Sequence, residues 1–255
     1  SNGITGLGNE AITLDDTSVS VTDLNNLDSY TSGTINTSSI TDITGPISAL
    51  TAAYSSQGIS NLGTNIEVTD TTTSSSEINL LDNLSSGLIN AATINLLTGS
   101  SASVNTLYES AVTSGSDGIL NLGNEVIILS DSVIDASSLT SIATSSSGNI
   151  HVGEVVQIQG TTSSINALYD TYTHIQSLGN ESITITDNVG SSSDLVTLDG
   201  NTTGIIDAAS IYKIEGLLQD LNNTYSSTQF TGLNNEDITL TGTTISSSYD
   251  VSNLN

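Results

Sequence analysis

The stretch LGNEAITLDDTSVSVTDLNNLD, residues 7–28, opens with a tetrapeptide that recurs along the whole chain. This tetrapeptide, here called the LGNE box, returns with small changes at 62–65, 122–125, 178–181 and 233–236. The interval from box to box is nearly constant. Regular repeats of this kind are typical of stacked arrays, in which each unit buries its apolar face against its neighbours.

Two short apolar runs in each repeat predict two strands. The first run follows the LGNE box and is rich in β-branched residues. The second run follows the first at one fixed interval, with centres at Leu14 and Ile43, Val68 and Leu97, Leu129 and Ile158, and Ile185 and Ile214. The predicted coil of one strand and its connection is therefore about 27 residues long, which gives nine strand positions. The first strands are 12–15, 66–70, 126–130, 183–186 and 238–241, and the second strands end at Gly45, Gly99, Gly160 and Gly216.

Between the strands, apolar residues recur at i and i+3, which predicts short helices. Possible capping boxes precede three of the first helices, at Ser20 with Asp23, Ser74 with Glu77 and Ser191 with Asp194. A glycine follows each first helix and predicts a left-handed end, at Gly33, Gly87, Gly148 and Gly204.

The second helices share a tyrosine at one fixed position, Tyr54, Tyr108, Tyr169 and Tyr225. An aromatic residue in the same place of every repeat predicts an internal ladder with its hydroxyl groups at the rim. A row of rings that stack against a ligand is the alternative.

These patterns predict an α/β repeat solenoid of about nine strand–helix coils with one continuous parallel sheet. Residues 1–255 would form a single array with repeat units 1–60, 61–120, 121–176, 177–231 and a partial unit 232–255. A parallel β-helix is the alternative, because such short helices are marginal alone. The capping boxes favour the α/β fold. Residues 111–118, which lengthen the third copy, are predicted to be a surface loop.

Composition excludes several classes of partner. Lys213 is the one basic residue against 27 acidic residues, and the net charge is −26. Such a chain repels nucleic acid and anionic lipid, and no apolar run is long enough for membrane insertion. There is no Cys or Met and one tryptic site. Resistance to oxidants and trypsin-like proteases suits an extracellular or cell-surface location.

No residue pattern predicts an enzyme. His151 and His174 do not recur between repeats, and neither lies beside a Cys or Ser signature of nucleophilic catalysis. Aspartates that follow the first strands do recur and are the candidate ligands for a divalent cation, with calcium the one possible cofactor. Solvated acceptors in caps and turns are the competing interpretation. The candidates are Asp16, Asp70, Asp131 and Asp187.

The runs at 7–28 and 43–63, LGNEAITLDDTSVSVTDLNNLD and ITGPISALTAAYSSQGISNLG, resemble repeats of giant, Lys/Arg-poor cell-surface proteins of marine unicellular cyanobacteria. These include the large surface protein associated with swimming. The resemblance extends over the entire chain and implies a cell-surface protein. Many such proteins are similar to calcium-binding RTX adhesins, but the GGxGxD nonapeptide of those adhesins is missing here.

The function expected from the sequence is structural. The chain would be a segment of an extracellular rod, fibre or surface layer that contacts neighbouring repeats of a longer chain or associates head to tail with copies of itself. Residues 1–6 match the end of a second half-unit, and the chain stops inside a predicted helix, so both ends are expected to be open. A glycan-binding adhesin, a calcium-dependent surface protein and an ice-binding solenoid are the alternatives. The last of these rests on Thr184 with Thr186 and Thr239 with Thr241.

Overall fold

A computed structural model describes residues 7–63 and 65–242. The chain divides into two compact units, Ser1–Ile127 and Ile128–Asn255. Helices and several parallel sheets make the chain α/β, as predicted. The match of residues 1–6 and the helix predicted after the last strand lie outside the described residues.

The described residues of the first unit form four helices. They are α1 (Val21–Tyr30), α2 (Ile47–Ser55), α3 (Ser75–Leu84) and α4 (Ser101–Glu109). Helix α1 packs against α2, α2 against α3, and α3 against α4. The strands are β1 (Ile12–Thr13), β2 (Ser18–Ser20), β3 (Ile35–Asn36), β4 (Asp42–Gly45), β5 (Ile59–Ser60), β6 (Asn65–Val68), β7 (Thr72–Ser74), β8 (Leu88–Asn90), β9 (Leu96–Gly99), β10 (Ala111–Val112) and β11 (Gly118–Leu120). The strand β12 (Val126–Leu129) contains the division between the units.

The second unit repeats this plan. Its helices are α5 (Ala136–Ser145), α6 (Thr162–Thr171), α7 (Ser192–Asn201) and α8 (Leu218–Ser226). The strands are β13 (Val133–Asp135), β14 (Ile150–His151), β15 (Gln157–Gly160), β16 (Ile175–Gln176), β17 (Ser182–Ile185), β18 (Val189–Ser191), β19 (Ile206–Asp207), β20 (Lys213–Gly216), β21 (Phe230–Thr231) and β22 (Asp237–Leu240).

The long sheets of the two units are similar in arrangement, but the first has six strands and the second has five. In the first unit the strand order is β2, β4, β6, β8, β11, β10, and in the second it is β13, β15, β17, β19, β21. Every pair in these sheets is parallel. Each sheet starts with a strand directly before a helix and ends with a strand that follows a helix.

In the first unit, the number of residues between paired strands is mostly smaller than the number between successive helices. In the first long sheet Val19 pairs with Ile43, Ile43 with Ile66, and Ile66 with Ile89. These three pairing steps end at Ile89, whereas three helix steps from the start of α1 end at Ser101 in α4. In these three steps each strand therefore pairs with a neighbour from an earlier position in the repeat, and the strands of the chain are divided among several sheets. The prediction of one continuous sheet is wrong for this reason.

The apolar residues that predicted the strands and helices form the interior of each unit. In the first unit Ile43, Leu50, Ile66 and Leu81 are at most 1% exposed. The predicted strands correspond to β1, β4, β6, β9, β12, β15, β17, β20 and β22, and the four second strands end at their glycines. The insertion at 111–118 is only partly a loop, because β10 pairs in parallel with β11 at the edge of the sheet.

Helix starts were predicted better than helix ends. Ser20, Ser74 and Ser191 are the N-cap residues of α1, α3 and α7, but only Ser74 with Glu77 makes both hydrogen bonds of a capping box. Glutamate is one methylene longer than the aspartate in the other two helices.

The left-handed helix ends were predicted wrongly. Each first helix ends at a C-cap residue with an extended backbone, and these residues are Thr31, Ser85, Ser146 and Thr202. Gly33 and Gly204, which follow two of these caps, do not have a positive φ. The chain thus leaves the helix directly in strand-like geometry, and no left-handed turn is needed.

Candidate functional site

Two of the four candidate metal ligands cap helices. Oδ2 of Asp70 accepts the backbone N–H of Ile47 at 2.7 Å, at the start of α2. Oδ2 of Asp187 accepts the N–H of Thr162 at 2.6 Å and its hydroxyl at 2.9 Å, at the start of α6. A carboxylate at this end of a helix satisfies a free donor and complements the helix dipole. The N-cap residue of α2 is Pro46, whose side chain makes no capping hydrogen bond. Asp70, which lies between β6 and β7, supplies the cap instead.

The remaining two candidates, Asp16 and Asp131, lie in the connections after β1 and β12. Asp16 is exposed and lines a cavity of about 290 Å³ with Asp23, and Asp131 is half-buried. Within residues 7–63 and 65–242, no group of three or more His, Asp or Glu side chains is close enough together to hold a metal ion. Asp70 and Asp187 thus serve as acceptors for helix N–H groups.

The second-helix tyrosines contact the LGNE boxes. The hydroxyl groups of Tyr108, Tyr169 and Tyr225 donate to Oε2 of Glu125, Glu181 and Glu236 at 3.0, 3.3 and 2.8 Å. The hydroxyl of Tyr54, whose repeat has no glutamate in the box, donates to the carbonyl oxygen of Gly63. All four tyrosines are half-buried. Burial raises the pKa of Tyr54 to about 12. These rings therefore join each second helix to the following LGNE box.

Each LGNE glutamate folds back on its own turn. A carboxylate oxygen accepts the N–H of the residue two positions earlier, which is a glycine for Glu10 at 2.6 Å and for Glu181 at 2.9 Å, and Asn234 for Glu236. The backbone N–H of Gly8 is the main cause that lowers the pKa of Glu10. Glu125 and Glu181 are each 2% exposed, and buried carboxylates require such donors. The sequence showed that these glutamates recur but not what they bind.

The glycines after the first helices fill a different role from the predicted one. A Cβ at Gly33 would lie 2.1 Å from the carbonyl oxygen of Glu10, and one at Gly204 would lie 1.9 Å from that of Glu181. A threonine two positions earlier reinforces each contact. The hydroxyl of Thr202 donates to the Glu181 carbonyl at 3.1 Å and accepts the N–H of Gly204 at 2.9 Å. Glycine is required here because the backbones approach closely.

Asparagines form a further set of contacts between helices. The side chain of Asn25 in α1 donates to the carbonyl of Ala49 in α2 at 2.9 Å, and Asn79 in α3 donates to that of Ser103 in α4 at 2.9 Å. In the second unit, Asn166 in α6 donates to the carbonyl of Asp194 in α7 at 3.0 Å. The donor is the fifth residue of its helix each time and the acceptor the third residue of the next helix.

The histidines and the lysine are not brought together. The ring of His174 lies edge to face with Tyr172 at 6.1 Å, and its buried Nε2 has no hydrogen-bond partner among the described residues. His151 lies in β14. The ammonium group of Lys213 forms an ion pair with Glu215 at 2.5 Å, and this hydrogen bond raises the pKa of Lys213.

The threonines that suggested ice binding do not form a column. Thr184 pairs in register with Gln159 on one side and Asp207 on the other. Thr239 pairs with Glu215. The outward rows of these strands thus mix amide, carboxylate and hydroxyl groups.

No family model, curated protein or solved structure matches this chain. Among the helices within residues 7–63 and 65–242, none has the length and apolar character needed to cross a membrane.

Proposed function

We propose that this chain is a structural segment of an extracellular or cell-surface α/β solenoid, whose nine strand positions stack into a rod and which assembles with further copies or repeats. The observation that carries the proposal is the recurrence of the same contacts from repeat to repeat. The Tyr–Glu bonds, the cross-helix asparagines and the aspartate caps each join one stretch of the repeat to another stretch about 11 to 28 residues away.

Hydrogen bonds to carboxylates also join successive helices, which supports an array held together by contacts between neighbouring coils. The hydroxyl of Ser56, after α2, donates to Asp28 of α1 at 2.8 Å, and that of Ser227, after α8, donates to Asp199 of α7 at 2.6 Å. The carboxylates that give the chain its charge are in part the acceptors that join successive helices. An extended array of this kind requires salt to screen the charges on its surface.

Small-angle scattering and sedimentation of the full chain test the proposal. If the nine positions stack as proposed, a rise of about 4.8 Å per strand would give a rod of about 43 Å. We expect that shape, and we expect larger species as concentration rises in high salt, where like charges are screened. A scattering profile of two independently tumbling bodies would refute the solenoid, and a strict monomer at all concentrations and salts would refute self-association.

A further inference from the structure

The outward face of the first unit's long sheet carries a groove that the contacts above leave unexplained. It has a volume of about 430 Å³ and lies across strands β2, β4, β6 and β8. Because side chains alternate along a strand, Ile43 and Ile66 lie buried on the inner face and contribute only backbone to the groove. The outward side chains that line it are Ser18, Asp42, Thr44, Asn65, Glu67, Leu88 and Asn90.

Two amide–carboxylate pairs cross the strands in this groove. Nδ2 of Asn65 donates to Oδ1 of Asp42 at 3.0 Å, and Nδ2 of Asn90 donates to Oε2 of Glu67 at 2.7 Å. Asp42 is also held by the hydroxyl of Thr41, which donates to its Oδ2 at 2.6 Å. These bonds orient the four side chains along the sheet.

The oriented groups keep hydrogen-bonding capacity for a ligand. Each amide nitrogen carries two N–H groups, and each carboxylate can accept about four hydrogen bonds. Leu88 is half-exposed beside them and supplies an apolar surface. A concave surface with a few oriented polar groups and an apolar contact is the usual form of a small-molecule site.

The corresponding place in the second unit differs in chemistry. By their positions in the two long sheets, β15 and β17 correspond to β4 and β6, so that Gln157 stands for Asp42 and Thr184 for Glu67. There the side chain of Gln157 donates to the hydroxyl of Thr184 at 2.7 Å. The second unit has no carboxylate at either of these two positions. Its long sheet has an amide–carboxylate pair at a different place, where Nε2 of Gln159 in β15 donates to Oδ1 of Asp135 in β13 at 2.9 Å.

We propose that this groove binds a neutral polyhydroxylated ligand, a segment of an uncharged polysaccharide. Neighbouring sugar hydroxyl groups both donate and accept, and they match the alternation of Asp42, Asn65, Glu67 and Asn90. Anionic polymers are repelled by the two carboxylates and by the net charge of −26. Strands about 4.8 Å apart present these groups in steps along the sheet, so an extended chain of sugars contacts several strands. This inference goes beyond the structural role and does not depend on assembly.

Titration of the full chain with cellopentaose, laminaripentaose and mannopentaose tests the proposal, with calorimetry for affinity and amide NMR for location. A chitosan pentamer is the cationic comparison. We expect saturable binding of at least one neutral pentasaccharide, with shifts at the amides of Ile43, Ile66 and Leu88. Asp42→Ala and Glu67→Ala should each weaken binding about tenfold, the cost of one hydrogen bond to a charged group. Gln157→Ala is the matched control in the second unit and should leave the affinity unchanged.

Several results would overturn the inference. One is the lack of shifts in the groove with all three neutral pentasaccharides at millimolar concentration. Another is binding that neither groove variant weakens. A third is binding confined to the chitosan pentamer and abolished by high salt, which would assign simple ion pairing to Asp42 and Glu67. If a variant fails to fold, the NMR map of the unmodified chain decides alone. Loss of rod shape or self-association would bear only on the structural role.

Discussion

The hydroxyl of Tyr108 donates to Oε2 of Glu125 at 3.0 Å, and Glu125 is 2% exposed. The same carboxylate accepts the N–H of Gly123 at 2.9 Å. A side chain from α4 and the turn of the following LGNE box thus donate to one buried carboxylate. Because a carboxylate needs hydrogen-bond donors when it is taken out of water, we expect this bond to stabilise the first unit.

Tyr108→Phe should lower the free energy of unfolding by about 1–2 kcal/mol, because the buried carboxylate loses a donor while the ring still packs. Tyr108→Ala should cost about 3 kcal/mol through the additional cavity. Tyr30→Phe is the control, since Tyr30 is 77% exposed, and should change little. Urea unfolding measures all three. Equal effects of Tyr108→Phe and Tyr30→Phe would show that the bond contributes no stability.

Asp187→Ala should cost about 1–2 kcal/mol, because the N–H of Thr162 at the start of α6 loses its acceptor. Asp170 lies at the opposite end of the same helix and is exposed. Asp170→Ala should therefore be neutral or slightly stabilising, since a negative charge near a helix C-terminus opposes the dipole. Denaturant melts of both variants provide the comparison, and an equal loss in both would contradict the capping role.

Two glycines in the second unit should respond oppositely to alanine. Gly204→Ala places a Cβ 1.9 Å from the Glu181 carbonyl oxygen and should destabilise by about 3 kcal/mol. Gly200 lies in the last turn of α7, where a Cβ would meet open space. Gly200→Ala should therefore stabilise by about 0.5 kcal/mol. Thermal melts would detect both, and tolerance of Gly204→Ala would show that the backbones can separate at no cost.

Stability should fall as the solution becomes acidic, in part through Glu77. Hydrogen bonds from the backbone N–H and then the hydroxyl of Ser74 lower the pKa of Glu77 below 4.5. The stabilising contribution is complete above pH 4.5 and is lost as the pH falls through the folded-state value, because the unfolded chain then binds more protons. Unfolding free energies measured across the acidic range should show a shallower slope for Glu77→Gln. An unchanged slope would exclude Glu77 from the acid response.

Calcium should stabilise the chain no more than sodium does at equal ionic strength. Asp70 and Asp187 already use carboxylate oxygens as helix caps, whereas calcium requires about six to eight oxygen ligands. Both salts should raise the melting temperature through screening. Melts with and without chelator decide the matter. An extra rise with calcium that Asp187→Asn removes would establish the metal site instead.

The sequence was sufficient to place the helices and the nine expected strands, because those depend on local apolar spacing and on Ser and Gly at element ends. For example, the buried positions of Leu24 on α1 and of Ile43 before Gly45 can be recognised from the few residues that surround each of them in the sequence. The short strands β3 and β5, two residues each, were not predicted, because a pair of residues has too little periodicity to be recognised.

The pairing register and the partners of the recurring carboxylates could not be predicted in the same way. Ile43 pairs with Val19 and with Ile66. The intervals between these paired residues differ from the interval between successive helices, and the pairing partners are known only from the structure. Asp70 was singled out as a recurring acid, but its partner at Ile47 is a backbone N–H with no trace in the sequence. The same holds for Gly33, whose neighbour is the carbonyl of Glu10.

The two kinds of helix start have an evolutionary consequence. A helix such as α2 depends on an aspartate supplied by the stretch that follows it, whereas the start of α1 packs against Gly45, where a Cβ would lie 2.3 Å from Val21. Duplication of one half-repeat would place a glycine where a carboxylate is needed, or a bulky aspartate where only glycine fits. Gene duplications that lengthen this array without penalty must therefore copy both halves together, in blocks that run from one LGNE box to the next.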